Sequence, residues 1–155
     1  MKKLTATLFV CLAVVATGCN IGARGADGAP GQPGKSAIVS SSDYEILKQD
    51  AYGGREEKSN EVINSQQKLE SLCKELNITD IPKVDFKKRN VVALFMGQKS
   101  SGGFSIGIKD VVVKNEIATV LVNETKPQGG ENVTMALTAP YCIAAIPKTE
   151  KVVFE

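Results

Sequence analysis

The chain contains no histidine, and this single absence removes most of the familiar hydrolytic and metal chemistry. Histidine is the usual general base near neutral pH and a standard zinc ligand, so Ser-His-Asp and Cys-His arrangements have no central residue here. A long hydrophobic run is also missing at the N-terminus. The apolar stretch from Leu8 to Val15 is shorter than the roughly 20 residues that a membrane-crossing helix requires. Charge of one sign is lacking as well: 19 Lys and Arg stand against 17 Asp and Glu. Loss of Lys2 and Lys3 with an export signal would leave the two signs equal. Without a basic field, a nucleic-acid partner is not expected.

What the N-terminus does contain is "MKKLTATLFVCLAVVATGCN", with two lysines, a short apolar core, small residues and a cysteine. This order predicts an export signal over residues 1–18. "ATGC", Ala16 to Cys19, resembles the lipobox of bacterial lipoproteins, where cleavage precedes a cysteine that then carries diacylglycerol. Ala16 stands where leucine is commonest, and an ordinary signal with a chance cysteine is the alternative. Asn20 is not the aspartate associated with inner-membrane retention. The expected address is therefore the bacterial cell envelope, lipid-anchored at the outer membrane or the surface, with the membrane itself a partner through Cys19.

Residues 19–39 form the expected tether. Gly22, Gly25, Gly28, Gly31 and Gly34 recur every third position, with Pro30 and Pro33 among them, which is the collagen period. Four or five triplets are too few to hold three chains by themselves. A disordered or polyproline-like spacer is the favoured reading, and weak trimerisation through the glycine triplets is the alternative.

Residues 40–155 suffice for one domain with its own core. "DYEILKQ" reads as a first strand and "NEVINS" as a second. Ser65 is a suitable N-cap for a helix running to about Leu76, whose apolar face is Leu69, Leu72, Cys73 and Leu76. "NVVALFM", Asn90 to Met96, is a continuous apolar run, the pattern of a central strand covered on both faces. A hairpin follows, Phe104–Val113 and Ile117 to about Glu124, turning at 114–116. "VTMALTAPYCIAAIP" supplies one or two strands broken at Pro140, and "KVVFE" a last short one. The expected fold is mainly β (α+β): an antiparallel β-sandwich or rolled sheet with one packed α-helix, following the tether. In that domain only Cys73 and Cys142 can form a disulfide, worth roughly 4 kcal/mol by loop closure. Their apolar neighbours favour two buried thiols instead.

"MGQKSSGGFSIGI" begins like a phosphate loop, but Gly102 is followed by Gly103 and Phe104 rather than Lys and Ser, and the next segment alternates as a strand. No converging helix-terminal amides are expected there. In an antiparallel meander, alternate connections lie at one end, which would bring the loops at 97–103 and 126–132 together. Each has a Gly-Gly pair and a lysine. Together they are a candidate recognition edge formed by Lys99, Ser100, Ser101, Gly102, Gly103, Phe104, Lys126, Pro127, Gly129 and Gly130. Ordinary turn chemistry accounts for the same glycines. Catalysis would have to use Asp85, Glu124, or Ser101 with Lys99 or Lys126, and no sequence feature fixes these groups in mutual geometry. The chain is read as a non-enzyme without cofactor or metal.

Three stretches, "KVDFKKRN", "VVALFMGQKSSGGFSIGI" and "NETKPQGGENVTMALTAPYCIAAIPK", together resemble the PrcB C-terminal domain family, over roughly Asp43 to Lys148. The strongest elements are Gly102-Gly103-Phe104, Lys126-Pro127 and Pro140-Tyr141. Phe104 stands where tyrosine is frequent in that family, and the glycine-triplet tether lies outside its pattern. The resemblance implies an exported, noncatalytic domain that assists or stabilises a protease. The functional expectation is a lipid-anchored envelope binding module, an accessory or inhibitor-like subunit with an exported protease as partner. A structural or adhesin-like surface lipoprotein without such a partner is the alternative.

Overall fold

The computed structural model describes residues 43–155. The expected signal peptide, lipidated Cys19 and glycine-triplet tether lie outside the described residues. Seven strands and one helix follow in the order β1 (Glu45–Asp50), β2 (Lys58–Ile63), α1 (Gln66–Glu75), β3 (Arg89–Met96), β4 (Ser105–Lys114), β5 (Ile117–Thr125), β6 (Tyr141–Pro147) and β7 (Lys151–Phe154). They form a four-stranded sheet, β1-β6-β3-β2, and a three-stranded sheet, β4-β5-β7.

The two central strands determine the layering. Along β3 and β6 nearly every residue is apolar and buried, so the first sheet must be covered on both faces. One set of alternating side chains, Val91, Ala93, Phe95, Tyr141, Ile143 and Ala145, packs with Leu69, Leu72, Cys73 and Leu76 of the helix layer. The other set, Val92, Leu94, Met96, Cys142, Ala144 and Ile146, packs against Ile106, Ile108, Val111, Ala118 and Val120 of the second sheet. The result is a helix layer on a two-sheet sandwich.

Local signals set the helix ends. The Ser65 hydroxyl accepts the Lys68 N–H at the N-terminus. At the other end Asn77 takes a positive φ of 56°. The Asn77 N–H donates to the Lys74 carbonyl and the Ile78 N–H to the Cys73 carbonyl, which closes the helix as a Schellman motif. Ile78 is buried in the helix-side core.

One pairing departs from the antiparallel expectation. β7 lies parallel to β5, with Ile117 opposite Lys151 and Val120 opposite Phe154. The reason is directional: after β5 the chain reverses into β6 in the first sheet, then reverses again, so it re-enters the second sheet running as β5 runs. The segment before Pro140 forms no strand either. It makes only an isolated bridge between Lys99 and Thr138.

The expected alternative of a Cys73–Cys142 disulfide is not met. Both cysteines are free and buried, because Cys73 packs beneath one face of the first sheet while Cys142 points from β6 to the opposite face. Two buried thiols are what the structure contains.

Two predictions follow from these local features. The β4–β5 turn places Asn115 at φ 51° and Glu116 at φ 59° between the paired Lys114 and Ile117, a left-handed conformation that glycine adopts without steric cost. Glu116→Gly should stabilise the domain by about 1 kcal/mol, read as a higher urea midpoint with unchanged m. Burial also pushes the Cys142 thiol from 9.0 up to about 11. The folded state therefore holds this proton more tightly than the unfolded chain, so the associated stability is intact below pH 9 and is lost as pH rises toward 11. Urea midpoints should fall across that window, and fall less in Cys142→Ala, whose lower starting stability is separable from the slope.

Candidate functional site

Three connections gather at one end of the sandwich: β1–β2 (51–57), β3–β4 (97–104) and β5–β6 (126–140). The second and third are the glycine-bearing loops that the sequence places side by side, and their backbones meet. The Gly102 N–H donates to the Thr134 carbonyl at 2.8 Å, while Lys99 and Thr138 exchange N–H to carbonyl bonds at 2.8 and 3.0 Å. The Thr138 hydroxyl donates to the Ser101 carbonyl at 2.8 Å. The first connection, which the sequence reading did not include, braces the third. Gly54 N–H donates to the Ala139 carbonyl, and Ala139 N–H to the Ala51 carbonyl, at 2.9 and 3.0 Å.

The ten residues of the expected edge have unequal access. Lys99 is half-buried, and its ammonium donates to the Met96 carbonyl at 2.9 Å. Gly102 is buried, and Phe104 packs against the inter-sheet core. Ser101 is half-buried, its hydroxyl donating to the Gly102 carbonyl at 3.3 Å. Gly103 has φ +84°, and a Cβ there would stand 2.9 Å from Pro127 Cβ. Gly103 thus allows the close approach of two loops. Ser100, Lys126, Gly129 and Gly130 are exposed, and Cβ atoms at the last two would meet nothing within 4 Å. One glycine pair permits a close crossing of two loops, and the other is a free tip.

The most exposed apolar groups at this end are different residues. Met135 is 89 % exposed, Leu137 66 % and Tyr52 54 %. Their neighbours are pinned: Thr134, Thr138 and Ala139 hold the backbone bonds just described. Three exposed carboxylates, Asp50, Glu56 and Glu57, lie in the first connection or at the strand end before it. Asp50 accepts the Tyr52 N–H, and the Glu56 carbonyl accepts the Gln98 N–H.

Among the described residues no hydrogen bond or ion pair joins the residues considered for catalysis to one another. Glu124 pairs with Lys58, Asp85 caps a turn through the Lys87 N–H, and Lys99 and Ser101 each bond a backbone carbonyl. Among the described residues no group of three His, Cys, Asp or Glu could hold a metal ion.

A second cluster fixes the first loop to the helix. Arg55 donates from Nε to Glu75 Oε1 at 2.7 Å and from an NH2 nitrogen to Glu75 Oε2 and Glu61 Oε2. Its guanidinium lies 4.6 Å from the Phe95 ring centroid. The side-chain hydrogen bond from Arg55 holds the Glu75 carboxyl below its ordinary value, against opposing desolvation.

The brace between loops gives a direct test. A Cβ on Gly54 would stand 2.5 Å from the Ala139 carbonyl oxygen, whereas one on Gly129 meets nothing within 4 Å. Gly54→Ala should cost about 1–3 kcal/mol in chemical unfolding, as overpacking does, and Gly129→Ala should be close to neutral.

Neither a curated protein nor a solved structure matches the chain. Residues 90–147 match the family model described as PrcB C-terminal. The matched segment runs from Asn90 in β3 to Pro147 in β6, and so includes both central strands, the β4–β5 hairpin and two of the three gathered loops. Through this segment, which holds the doubly covered strands and both glycine-bearing crossings, the chain is similar to the PrcB C-terminal family.

Proposed function

We propose that this domain is a binding module of an exported protease complex, held in the bacterial envelope by a lipid on Cys19 and acting without catalysis of its own. The family match favours an accessory role. The observation that carries the reading is the loop end itself: three connections bonded to one another that display Tyr52, Met135 and Leu137 to solvent. Apolar side chains of this size each gain about 1.5–3 kcal/mol when fully buried. A braced backbone also loses little freedom on docking, so more of that gain is retained in the complex. Binding the folded partner and not its unfolded chain stabilises it by mass action.

The test uses a protease exported by the same cells. It is heated with and without the protein, diluted to dissociate the complex, and assayed for residual activity. The expected outcome is a longer half-life that saturates with added protein. An unchanged half-life at saturating concentration would remove the protease-binding reading.

A further inference from the structure

The segment Thr134–Thr138 is an arch fixed at both feet. At one foot the Thr134 carbonyl accepts the Gly102 N–H; at the other Thr138 bonds Lys99 in both directions and Ser101 through its hydroxyl. Ala139 and Pro140 then tie the second foot to Gly54, Ala51 and Met96 before the chain enters β6. Between the feet the chain bends at Ala136. Met135 and Leu137 project on either side of that bend with nearly all of Met135 in solvent. Among the described residues, no hydrogen bond uses a backbone group of Met135, Ala136 or Leu137.

We propose that this arch occupies the substrate cleft of an endoprotease with an apolar specificity pocket, Met135 filling the pocket and Leu137 the site beyond it. The inference rests on the protease-binding reading and adds to it which surface docks and where. A protease cleft takes its substrate as an extended strand, using the backbone N–H and carbonyl groups for affinity and alternate side chains for specificity. The arch offers both sets of groups at once. The chain bends at Ala136 with Met135 and Leu137 both in solvent, a protrusion that a cleft accommodates better than a flat protein surface does. Its fixed feet mean that the bound form resembles the free form, so little ordering cost opposes binding. Binding is noncovalent, and the bound protease is inhibited until the complex dissociates.

The test uses the chain from Asn20 to Glu155 against three probes: subtilisin and chymotrypsin, which accept apolar side chains, and trypsin, which selects a basic one. The wild-type chain should compete with peptide substrate on an apolar-pocket protease and not on trypsin. Met135→Lys should weaken the first and create competition on trypsin, each by about tenfold or more. Lys114→Ala, at the opposite end of the sandwich, serves as the folded control and should change neither. Absence of competition on both apolar-pocket proteases would overturn the proposal. So would competition indifferent to Met135→Lys, digestion at the rate of an unstructured peptide, or sedimentation with phosphatidylserine vesicles that is lost in Met135→Asp. A longer half-life of the exported protease without competition on any probe keeps the protease-binding reading and discards the cleft assignment.

Discussion

The pairing of β3 with β6 is the constraint on which the other elements depend. Seven register pairs join them, from Arg89 opposite Pro147 to Phe95 opposite Tyr141, and both strands are apolar on both faces. Two such strands side by side cannot face water on either side, so a helix layer must cover one face and a second sheet the other. The two cores follow from this alternation. It also separates the two thiols: the β6 residue Cys142 and the helix residue Cys73 belong to different clusters. A disulfide would have to pass through the sheet.

The same pairing determines where the loops go. β3 ends and β6 begins at one end of the first sheet, because they run in opposite directions. Crossing from β3 to the second sheet, and back from the second sheet to β6, must therefore occur at that end. β1 also finishes there, with Asp50 opposite Tyr141, and β2 starts there, with Lys58 opposite Met96. Three connections are thus brought together by strand direction alone. The opposite end holds the tight β4–β5 turn, the short link into β7 and the 76–88 segment that leads from the helix into β3.

Features encoded locally were legible in the sequence. The continuous run at "NVVALFM", the N-cap at Ser65 and the positive-φ stop at Asn77 each carry their own physical signature. So does the hairpin turn at Asn115 and Glu116. Features that depend on distant partners were not. The parallel placement of β7 requires knowing that β6 lies in the other sheet. The two glycine pairs look alike as letters, yet Gly103 packs against Pro127 while Gly129 and Gly130 face solvent. The arch is the most instructive case. Val133, Met135 and Leu137 alternate with Thr134, Ala136 and Thr138, which is the pattern of a strand with one apolar face turned to a core. Here the ladder is confined to Lys99 and Thr138, and the bend at Ala136 leaves the apolar positions outside. Alternation identifies which side chains share a face, but not whether that face has a neighbour.

The bracing of this end extends into the helix layer, which explains how a sandwich loop can be held without a disulfide. Arg55 follows Gly54, the residue whose N–H bonds the Ala139 carbonyl. Its fork is fixed by Glu75 at the last turn of the helix and by Glu61 on β2, with Phe95 beneath it. Phe95 in turn stacks on Tyr141, ring centroids 6.5 Å apart, and Tyr141 is the first residue of β6 after the arch. The foot of the arch is therefore secured on one side by backbone bonds and on the other by a chain of packed side chains leading to the core. Bidentate guanidinium–carboxylate geometry restricts orientation as well as distance, so the cluster sets the angle at which the 51–57 loop meets Ala139. Because the Arg55 bond keeps the Glu75 carboxyl below its ordinary value, the Arg55–Glu75 pair remains ionised at pH values where a solvent-facing glutamate begins to take up protons. The rigidity of the loop end is a property of the whole domain and not of the loops that form it.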